Sequence, residues 1–293
     1  MDRLSGRIIK NISGIYYVLL DDKSVVECSI RTTAKKNRLV VGDKVSVEAN
    51  EFNKGKYVIT GYKERKSFIP RPPIANLDKL IIILSPKPEP DFLLVDKLII
   101  YCFINNIEPV IVINKCDMAD NKFIDDIRKQ YCFLENFVIS AKDGLGIDKV
   151  ESYISNSFVA LAGQSAVGKS SFINALFPNE NVEVGELSAK IDRGKNTTRV
   201  SEIYYQKDYM VADTAGFSSL DLDMDYMELS KYYPEFDKYL GECRYLDCSH
   251  IKEGKDYCII IDAVESGYIN KDRYTRYIEL YKDLKEKWEK KYD

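Results

Sequence analysis

The residues best suited to chemistry form a glycine-rich stretch in the middle of the chain. It reads G-x-x-x-x-G-K-S over residues 163–170 and follows the apolar segment Phe158–Ala162. Backbone N–H groups of such a loop can surround phosphates, while Lys169 reaches the outer phosphates and the Ser170 hydroxyl ligates Mg²⁺. The predicted nucleotide-binding loop consists of Gly163, Gln164, Ser165, Ala166, Val167, Gly168, Lys169, Ser170 and Ser171.

Two segments further along the chain suit the γ-phosphate end of such a site. A D-T-A-G motif ends an apolar stretch, so Asp213 is predicted to hold Mg²⁺ through water and the amide of Gly216 to sense the γ-phosphate. Between this motif and the glycine-rich loop lies the segment K-N-T-T-R. Thr198 is predicted to close over Mg²⁺ and the γ-phosphate, with Thr197 as the alternative. The predicted magnesium residues are therefore Ser170, Thr198 and Asp213.

The group that orients the attacking water has to be sought outside its usual position. Phe217 follows the D-T-A-G motif, where Ras-like proteins carry a glutamine, and a phenyl ring cannot polarise water. We therefore expect slow intrinsic hydrolysis, with orientation supplied by Asn196, by a main-chain group or by a partner. An amide is too weak a base to remove a proton, so Asn196 would only orient the water. The predicted catalytic set is Lys169, Asn196, Thr198 and Gly216.

The residues that select the base lie upstream of the glycine-rich loop. An N-K-C-D motif follows the apolar segment Glu108–Ile113, and the carboxylate of Asp117 can accept both donors on the guanine edge, which adenine does not present. A companion S-A-K loop follows another apolar segment, and its Ala141 N–H is expected to meet the guanine O6. The predicted base-binding residues are Asn114, Lys115, Asp117, Ser140, Ala141 and Lys142.

The order of these motifs is circularly permuted, because the base-reading pair precedes the phosphate-reading set. The same site can form if the old chain ends are joined and new ones are opened in a loop. The join would fall between the S-A-K loop and Phe158–Ala162, with the helical stretch 146–156 inside it. As a consequence, the segments that sense the γ-phosphate lead directly into the carboxy-terminal part of the chain.

A cluster of thiols near the carboxy terminus predicts a metal site. Its spacing is C-x₄-C-x-H-x₇-C, and the histidine is the only one in the chain. Three thiolates and one imidazole match a closed tetrahedral zinc site, which is structural because no coordination position is left open. The predicted ligands are Cys243, Cys248, His250 and Cys258.

The elements that must position these residues fall into three units. Five short segments rich in β-branched and aromatic residues fill the first 60 positions and predict a closed antiparallel barrel of OB type, with an SH3-like barrel or a structural cap as the alternative. The basic and proline-rich stretch Lys63–Pro73 predicts a linker. Buried strands alternating with helices then predict an α/β domain, and helical periodicity dominates from about Leu222 onward. We predict an OB-type barrel over residues 1–66, a permuted P-loop GTPase domain over 67–220 and a mostly helical zinc-binding unit over 221–293.

Charge and composition narrow the class of protein. No apolar run approaches the roughly 20 residues that a membrane span needs, and the amino terminus lacks a secretory leader, so a cytoplasmic protein is expected. The net charge is −3, yet residues 1–66 carry 14 Lys and Arg against 8 Asp and Glu, whereas residues 218–293 carry 13 against 18. A polyanion would meet the basic barrel, whose candidate contacts are Lys35, Lys36, Arg38, Lys63, Arg65, Lys66 and Arg71.

With these motifs in this order, the chain resembles the RsgA (YjeQ/YloQ) family of bacterial small-subunit-dependent GTPases. The resemblance covers essentially the whole length and includes the entry sequence R-P-P-I-A-N-L-D-K-L. It implies an OB barrel, a permuted GTPase domain and a zinc domain. It also implies hydrolysis of GTP coupled to late maturation of the small ribosomal subunit, with the subunit and its rRNA as partners and a monomer in the free state.

The resemblance leaves two other functions to weigh. One is a GTP-dependent assembly factor for another RNA particle, such as the large subunit, and the other is a non-catalytic, GTP-switched RNA-binding module. The chain departs from the family pattern at three positions. Ala166 replaces a glycine, Ala215 replaces a proline, and Asn196 stands where the family commonly has a histidine. The last change argues against a mechanism that needs an imidazole at that position.

Overall fold

The computed structural model describes residues 3–12, 14–30, 38–50, 55–70, 72–178, 202–206, 208–213 and 220–292. Within these ranges the chain forms a small β-barrel, a six-stranded sheet covered by helices, and a helical carboxy-terminal unit. This arrangement confirms the fold class predicted from the sequence.

The barrel closes through strand pairing alone. Its strands pair in the order β1-β2-β3-β5-β4, with β4 returning to β1, and only the β3–β5 pair is parallel. Inward-facing apolar side chains, among them Ile8, Val18, Val47 and Ile59, fill its interior completely. A closed barrel has no free edge on which other strands could add. The strands are β1 (Leu4–Ile12), β2 (Ile15–Leu20), β3 (Val25–Ile30), β4 (Lys44–Ala49) and β5 (Tyr57–Tyr62).

The predicted linker Lys63–Pro73 is wrong in one respect, because part of it is paired. Strands β6 (Phe68–Pro70) and β7 (Pro73–Ala75) form an antiparallel hairpin. Pro70 and Pro73 pair at the turn end of this two-stranded sheet. At this position the absence of a backbone N–H removes no hydrogen bond from the interior of the sheet. Ile69 and Ile74 pair behind them and are fully buried, which anchors the hairpin between barrel and sheet.

The hairpin belongs to a firm junction between the barrel and the following domain. The Arg7 guanidinium lies 4.8 Å from the centre of the Phe158 ring, and the Asn76 side chain donates to the Gly42 carbonyl at 3.0 Å. Gly42 has φ +91°, and a Cβ there would lie 2.0 Å from the Ala75 carbonyl oxygen. Only glycine permits this approach of the two units.

The central sheet has the order β10-β9-β8-β11-β13-β12, in which the first five strands are parallel and β12 is antiparallel. Side chains alternate across it: Ile82 and Leu84 pack toward α1 and α2, whereas Ile81 and Ile83 pack toward α3 and α4. The elements are β8 (Lys79–Leu84), α1 (Phe92–Ile104), β9 (Glu108–Ile113), α2 (Asn121–Gln130), β10 (Asn136–Val138), α3 (Ile147–Ile154), β11 (Phe158–Ala162), α4 (Lys169–Leu176), β12 (Glu202–Gln206) and β13 (Tyr209–Asp213).

The carboxy-terminal unit packs against α1. It contains two 3₁₀ helices, Tyr226–Tyr232 and Pro234–Tyr239, followed by α5 (Ile259–Glu265) and α6 (Lys271–Tyr292). The helical stretch is divided at Pro234, because a proline cannot donate the backbone hydrogen bond that a longer helix needs. Within the described residues, none of the helices has the length and apolarity to cross a membrane.

A buried ionic network joins this unit to the GTPase domain. Asp96 of α1 is fully buried and accepts from Arg273 Nη1 at 2.6 Å, Arg276 Nε at 2.5 Å and the Tyr131 hydroxyl at 2.8 Å. Arg273 also makes a two-point contact with Glu235 at 2.7 and 3.1 Å. Two carboxylates thus face two guanidinium groups, so the network is neutral as a whole.

Candidate functional site

The predicted nucleotide residues gather at one edge of the central sheet. The N-K-C-D motif follows β9, the S-A-K loop follows β10, the glycine-rich loop follows β11, and Asp213 ends β13. All four strands run parallel, so their carboxyl ends meet at the same edge. This is the position at which open α/β sheets bind ligands.

The glycine-rich loop is shaped by backbone conformations that glycine favours. Gly163 has φ +136°, and a Cβ there would lie 2.5 Å from the Ile83 carbonyl oxygen. Gly168 has φ +100°, and its Cβ would lie 2.3 Å from Asn114 Nδ2. Ala166 adopts φ +65°, so the loop keeps its left-handed turn at the position where an alanine has to bear some strain.

Lys169 lies across this loop at the start of α4. Its ammonium group donates to the carbonyl oxygens of Gly163 at 2.8 Å and Gln164 at 2.7 Å. Burial lowers its pKa, while the charge of Asp213 acts in the opposite direction. Asp213 ends β13, which pairs with β11, the strand that leads into the loop. Ser170 is the next residue of the helix, so the predicted phosphate and magnesium groups of the described residues lie together.

The base-selecting loop is fastened to the phosphate-binding loop. Asn114 is almost fully buried; its Nδ2 donates to the Val167 carbonyl at 2.9 Å, and its Oδ1 accepts from the Ala141 N–H at 3.0 Å. Lys115 Nζ donates to the carbonyl oxygens of Lys87 and Ala166, both at 2.7 Å. The Ala141 N–H that was expected to meet guanine O6 is therefore paired with Asn114, and Lys115 connects two loops.

Asp117 lies beside the S-A-K loop. The Ser140 hydroxyl is 3.0 Å from Asp117 Oδ1 and 2.6 Å from Asp143 Oδ2. The two carboxylates therefore approach one hydroxyl from two sides. Nothing in the N-K-x-D or S-A-K pattern identifies Asp143, which comes one residue after the motif.

A cavity of about 570 Å³ opens between the S-A-K loop and α4. Its volume is in the range of small-ligand pockets. Asn174, which belongs to no nucleotide motif, lines this cavity. Its Oδ1 is buried with no hydrogen-bond partner among the described residues. The lining residues are Ala141, Lys142, Gly144, Ile147, Ser171, Asn174 and Ala175.

The remaining predicted residues lie outside the described part of the chain. These are the candidates for γ-phosphate sensing and water orientation, namely Asn196, Thr197, Thr198, Gly216 and Phe217. Their roles stay predictions.

The predicted metal ligands meet in the carboxy-terminal unit. The ligand atoms of Cys243, Cys248, His250 and Cys258 all lie within 4.8 Å of one another. Nδ1 of the histidine is 3.5 and 3.4 Å from the first and last sulfurs, which are 3.8 Å apart. A tetrahedral zinc ion with bonds of about 2.3 Å to sulfur and 2.05 Å to nitrogen requires S···S of about 3.8 Å and S···N of about 3.6 Å. The Cys243, His250 and Cys258 side chains therefore match these distances, and the Cys248 sulfur lies within 4.8 Å of each of their ligand atoms.

The metal-binding loop is organised by Glu253, which sequence motifs did not reveal. Its carboxylate accepts the backbone N–H groups of Ser249 and Ile251, both at 3.0 Å, and of Lys252 at 3.1 Å. These bonds flank His250, which has φ +57°, and they are part of the reason why the pKa of Glu253 falls to about 2 despite partial burial. Tyr274 of α6 donates to the His250 carbonyl at 2.7 Å, so the loop is also tied to the last helix.

Comparison with known proteins covers the whole chain. The family model described as RsgA GTPase matches residues 62–223, and the model described as RsgA N-terminal domain matches residues 5–57. The small ribosomal subunit biogenesis GTPase RsgA of Caldanaerobacter subterraneus is 36% identical over 100% of this chain and 99% of the relative. The protein of that name from a Geobacillus species is 39% identical over 96% and 98%.

Two solved structures have the same architecture. YjeQ from Thermotoga maritima is similar with a TM-score of 0.83 and 28% identity, covering 97% of this chain and 99% of that one. YloQ, described as a circularly permuted GTPase, is similar with a TM-score of 0.81 and 28% identity, covering 98% and 96%. The similarity therefore includes the barrel, the sheet and the metal-binding unit together.

Proposed function

Since the chain belongs to the RsgA family of GTPases, we propose that it hydrolyses GTP to promote late maturation of the small ribosomal subunit. The observation that carries this proposal is the full-length match to relatives named small ribosomal subunit biogenesis GTPase. A shared nucleotide domain alone would fit many GTPases, but here the flanking barrel and metal-binding unit match as well. We infer that the subunit both binds the protein and accelerates its hydrolysis.

We propose that guanine is read by Asp117, with GTP and GDP as the nucleotides bound. Its carboxylate would accept the two donors of the guanine edge, and adenine would leave it unpaired. Asn114 supports this role because it holds the base loop against the phosphate loop with both side-chain atoms. Ser171, Ala141 and Lys142 line the adjoining cavity, and Ser140 precedes the last two in the same loop. We assign these residues to the nucleoside.

We propose that the phosphates and Mg²⁺ are held by the glycine-rich loop and its neighbours. Lys169 would exchange its two loop carbonyls for phosphate oxygens, and Ser170, Thr198 and Asp213 would hold the ion. Mg²⁺ supplies positive charge to the β- and γ-phosphate oxygens when bound. Gly216 would present its amide to the γ-phosphate, and Asn196 would orient the attacking water without taking its proton.

We propose that Cys243, Cys248, His250 and Cys258 bind one structural zinc ion. The distances among their ligand atoms support this assignment. Burial raises the pKa of the Cys248 and Cys258 thiols, and a bound cation would favour their thiolate forms instead. With four protein ligands there is no open position, so zinc would stabilise the carboxy-terminal unit and take no part in hydrolysis.

We propose that the barrel contacts rRNA through only some of the basic residues that the sequence identifies as candidates. Arg65 is bound to Asp43 at 2.7 and 2.8 Å, and Lys66 pairs with Asp78 at 2.5 Å, so both stabilise the junction. Exposed Arg38 and Lys63 are better placed for phosphate contacts. Lys35, Lys36 and Arg71 lie outside the described residues and remain candidates.

We also keep three broader expectations as part of the proposal. The three units would divide near residues 66 and 220, the free protein would be a monomer, and it would act in the cytoplasm, where its ribosomal partner is found.

The proposal is tested by sedimentation with purified ribosomal subunits. The protein should pellet with small subunits in the presence of a non-hydrolysable GTP analogue, less in GDP, and not with large subunits. Arg38→Glu/Lys63→Glu should weaken binding and reduce its salt dependence, whereas the substitution Lys122→Glu at an exposed position of α2 should not. Equal binding to large subunits would favour an assembly factor for another particle, and no binding to either would reject the proposed role.

A further inference from the structure

The Ser140 hydroxyl contacts two carboxylates, and one of them belongs to Asp143, a residue outside the nucleotide motifs. The Ser140 hydroxyl carries a single proton, yet Asp143 Oδ2 lies 2.6 Å from its oxygen and Asp117 Oδ1 lies 3.0 Å away. A charge-assisted O–H···O⁻ bond is typically about 2.5–2.7 Å long. The shorter contact is therefore the hydrogen bond, and the hydroxyl directs its proton to Asp143.

The local fold holds Asp143 in this position. The Asp143 N–H donates to the Ser140 carbonyl at 3.2 Å, and Ser140 and Leu145 exchange two backbone hydrogen bonds at 3.0 and 3.1 Å. The turn needs Gly146, which has φ +73° and whose Cβ would lie 2.6 Å from the Val138 carbonyl oxygen. Lys142 and Asp143 are both exposed, so the carboxylate contact is formed at the mouth of the site and not in the core.

Asp117 and Asp143 both lie close enough to the Cys116 thiol for their charges to affect it. Partial burial raises the pKa of the Cys116 thiol, and the charges of Asp117 and then Asp143 raise it further. The base-reading loop is held against β10 by the Cys116 N–H, which donates to the Ile139 carbonyl at 3.1 Å. The relative positions of the two carboxylates are thus fixed by backbone bonds on both sides.

We propose that Asp143 is a positioning residue that increases selectivity for guanine. By accepting the Ser140 hydroxyl, it leaves Asp117 Oδ1 as an acceptor for the base. Without Asp143, the hydroxyl would turn to Asp117 and compete with a guanine donor for that oxygen. A carboxylate has about four lone-pair sites, so the competition weakens guanine binding without abolishing it. This inference rests on the proposed guanine site.

The test is a double-mutant cycle on nucleotide affinity, measured with a fluorescent GDP analogue and with ADP as competitor. Asp143→Ala should weaken GDP binding about 5- to 10-fold, the scale of one hydrogen bond. ADP, whose base presents neither donor, should be unaffected, whereas a general loosening of the loop would weaken both nucleotides. Asp143→Asn keeps an acceptor but loses the charge that favours the Ser140 proton, so its GDP affinity should fall between that of the parent protein and that of Asp143→Ala.

The decisive arm uses Ser140→Ala, which removes the hydroxyl. In that background Asp143→Ala should change GDP affinity less than about 2-fold, because no proton remains to be misdirected. The exposed Asp148→Ala serves as the control for loss of a nearby charge. An equal loss with and without Ser140, a defect in Asp143→Asn as large as in Asp143→Ala, or no loss at all would overturn the role of Asp143. A parent protein without preference for GDP over ADP would instead overturn the guanine site itself.

Discussion

The buried network around Asp96 yields the most quantitative prediction. Asp96→Asn keeps the volume of the side chain but removes the charge that faces Arg273 and Arg276. Burial lowers the pKa of Arg273, but Glu235 still raises it after the substitution. An arginine side chain is not deprotonated in proteins, so the guanidinium stays charged. Arg273 keeps Glu235, but Arg276 retains only neutral partners, among them Gln130 Oε1 at 2.8 Å.

The expected cost follows from what the substitution leaves unpaired. Breaking a buried charge pair by removing one partner costs about 3–5 kcal/mol of stability. The side-chain oxygen of asparagine can still accept a hydrogen bond, so we expect a cost for Asp96→Asn near the lower end of this range. A slope of about 2 kcal/mol per molar urea converts 3 kcal/mol into a midpoint shift of about 1.5 M. The loss should appear first in the carboxy-terminal unit, because the network attaches α6 to α1.

Trp288 makes this measurable, since it is the only tryptophan and lies on α6 with its ring 6.4 Å from that of Tyr226. Urea unfolding followed by its fluorescence should show the shift for Asp96→Asn, while the exposed Asp125→Asn should stay within about 0.5 kcal/mol of the parent. A midpoint for Asp96→Asn within about 0.3 M of the parent would refute the idea that this network holds the unit in place.

Three further predictions concern the nucleotide and metal sites. Asp117→Asn should change the preference between guanine and xanthine nucleotides by about 100-fold or more, measured by competition binding; an unchanged ratio would contradict the role of Asp117. Cys248→Ser should lose bound zinc by metal analysis, and Glu253→Gln should release zinc to a chromogenic chelator about 10-fold faster or more. The exposed Glu279→Gln should match the parent, and full zinc occupancy in Cys248→Ser would contradict the ligand set. Asn196→Ala should lower the subunit-stimulated hydrolysis rate in single-turnover assays with little change in nucleotide affinity. Asn196→His should preserve or raise that rate. If neither variant differs from the parent, Asn196 does not orient the water.

The sequence predicted those parts of the site that depend on local spacing. The glycine-rich loop, the N-K-C-D motif and the cysteine cluster each place their groups within a few residues of one another or directly after a strand. Short segments rich in β-branched and aromatic residues likewise predicted the barrel, and buried strands alternating with helices predicted the α/β domain. The metal-binding distances agree with the predicted ligand set because the four ligands come from one short segment.

The contacts that the sequence could not predict depend on tertiary packing. Asp96 and Arg273 are 177 positions apart, and no periodicity links a buried acid on α1 to a base on α6. The hairpin β6–β7 was missed because two prolines argue against a sheet unless they lie at its turn end. Asp143 and Glu253 are close in sequence to the residues that they support, but their roles depend on which way a turn directs the carboxylate.

The central claim is that a small ribosomal subunit activates GTP hydrolysis in this protein. It is tested most directly by phosphate release from GTP with the protein alone, with purified small subunits and with purified large subunits. We expect slow turnover alone and an increase of at least about 10-fold with small subunits only, since groups supplied by a partner are worth about 10³ or more in related GTPases. Lys169→Ala should abolish the stimulated rate. A rate that small subunits leave unchanged, or that large subunits raise equally, would rule out specific activation by the small subunit.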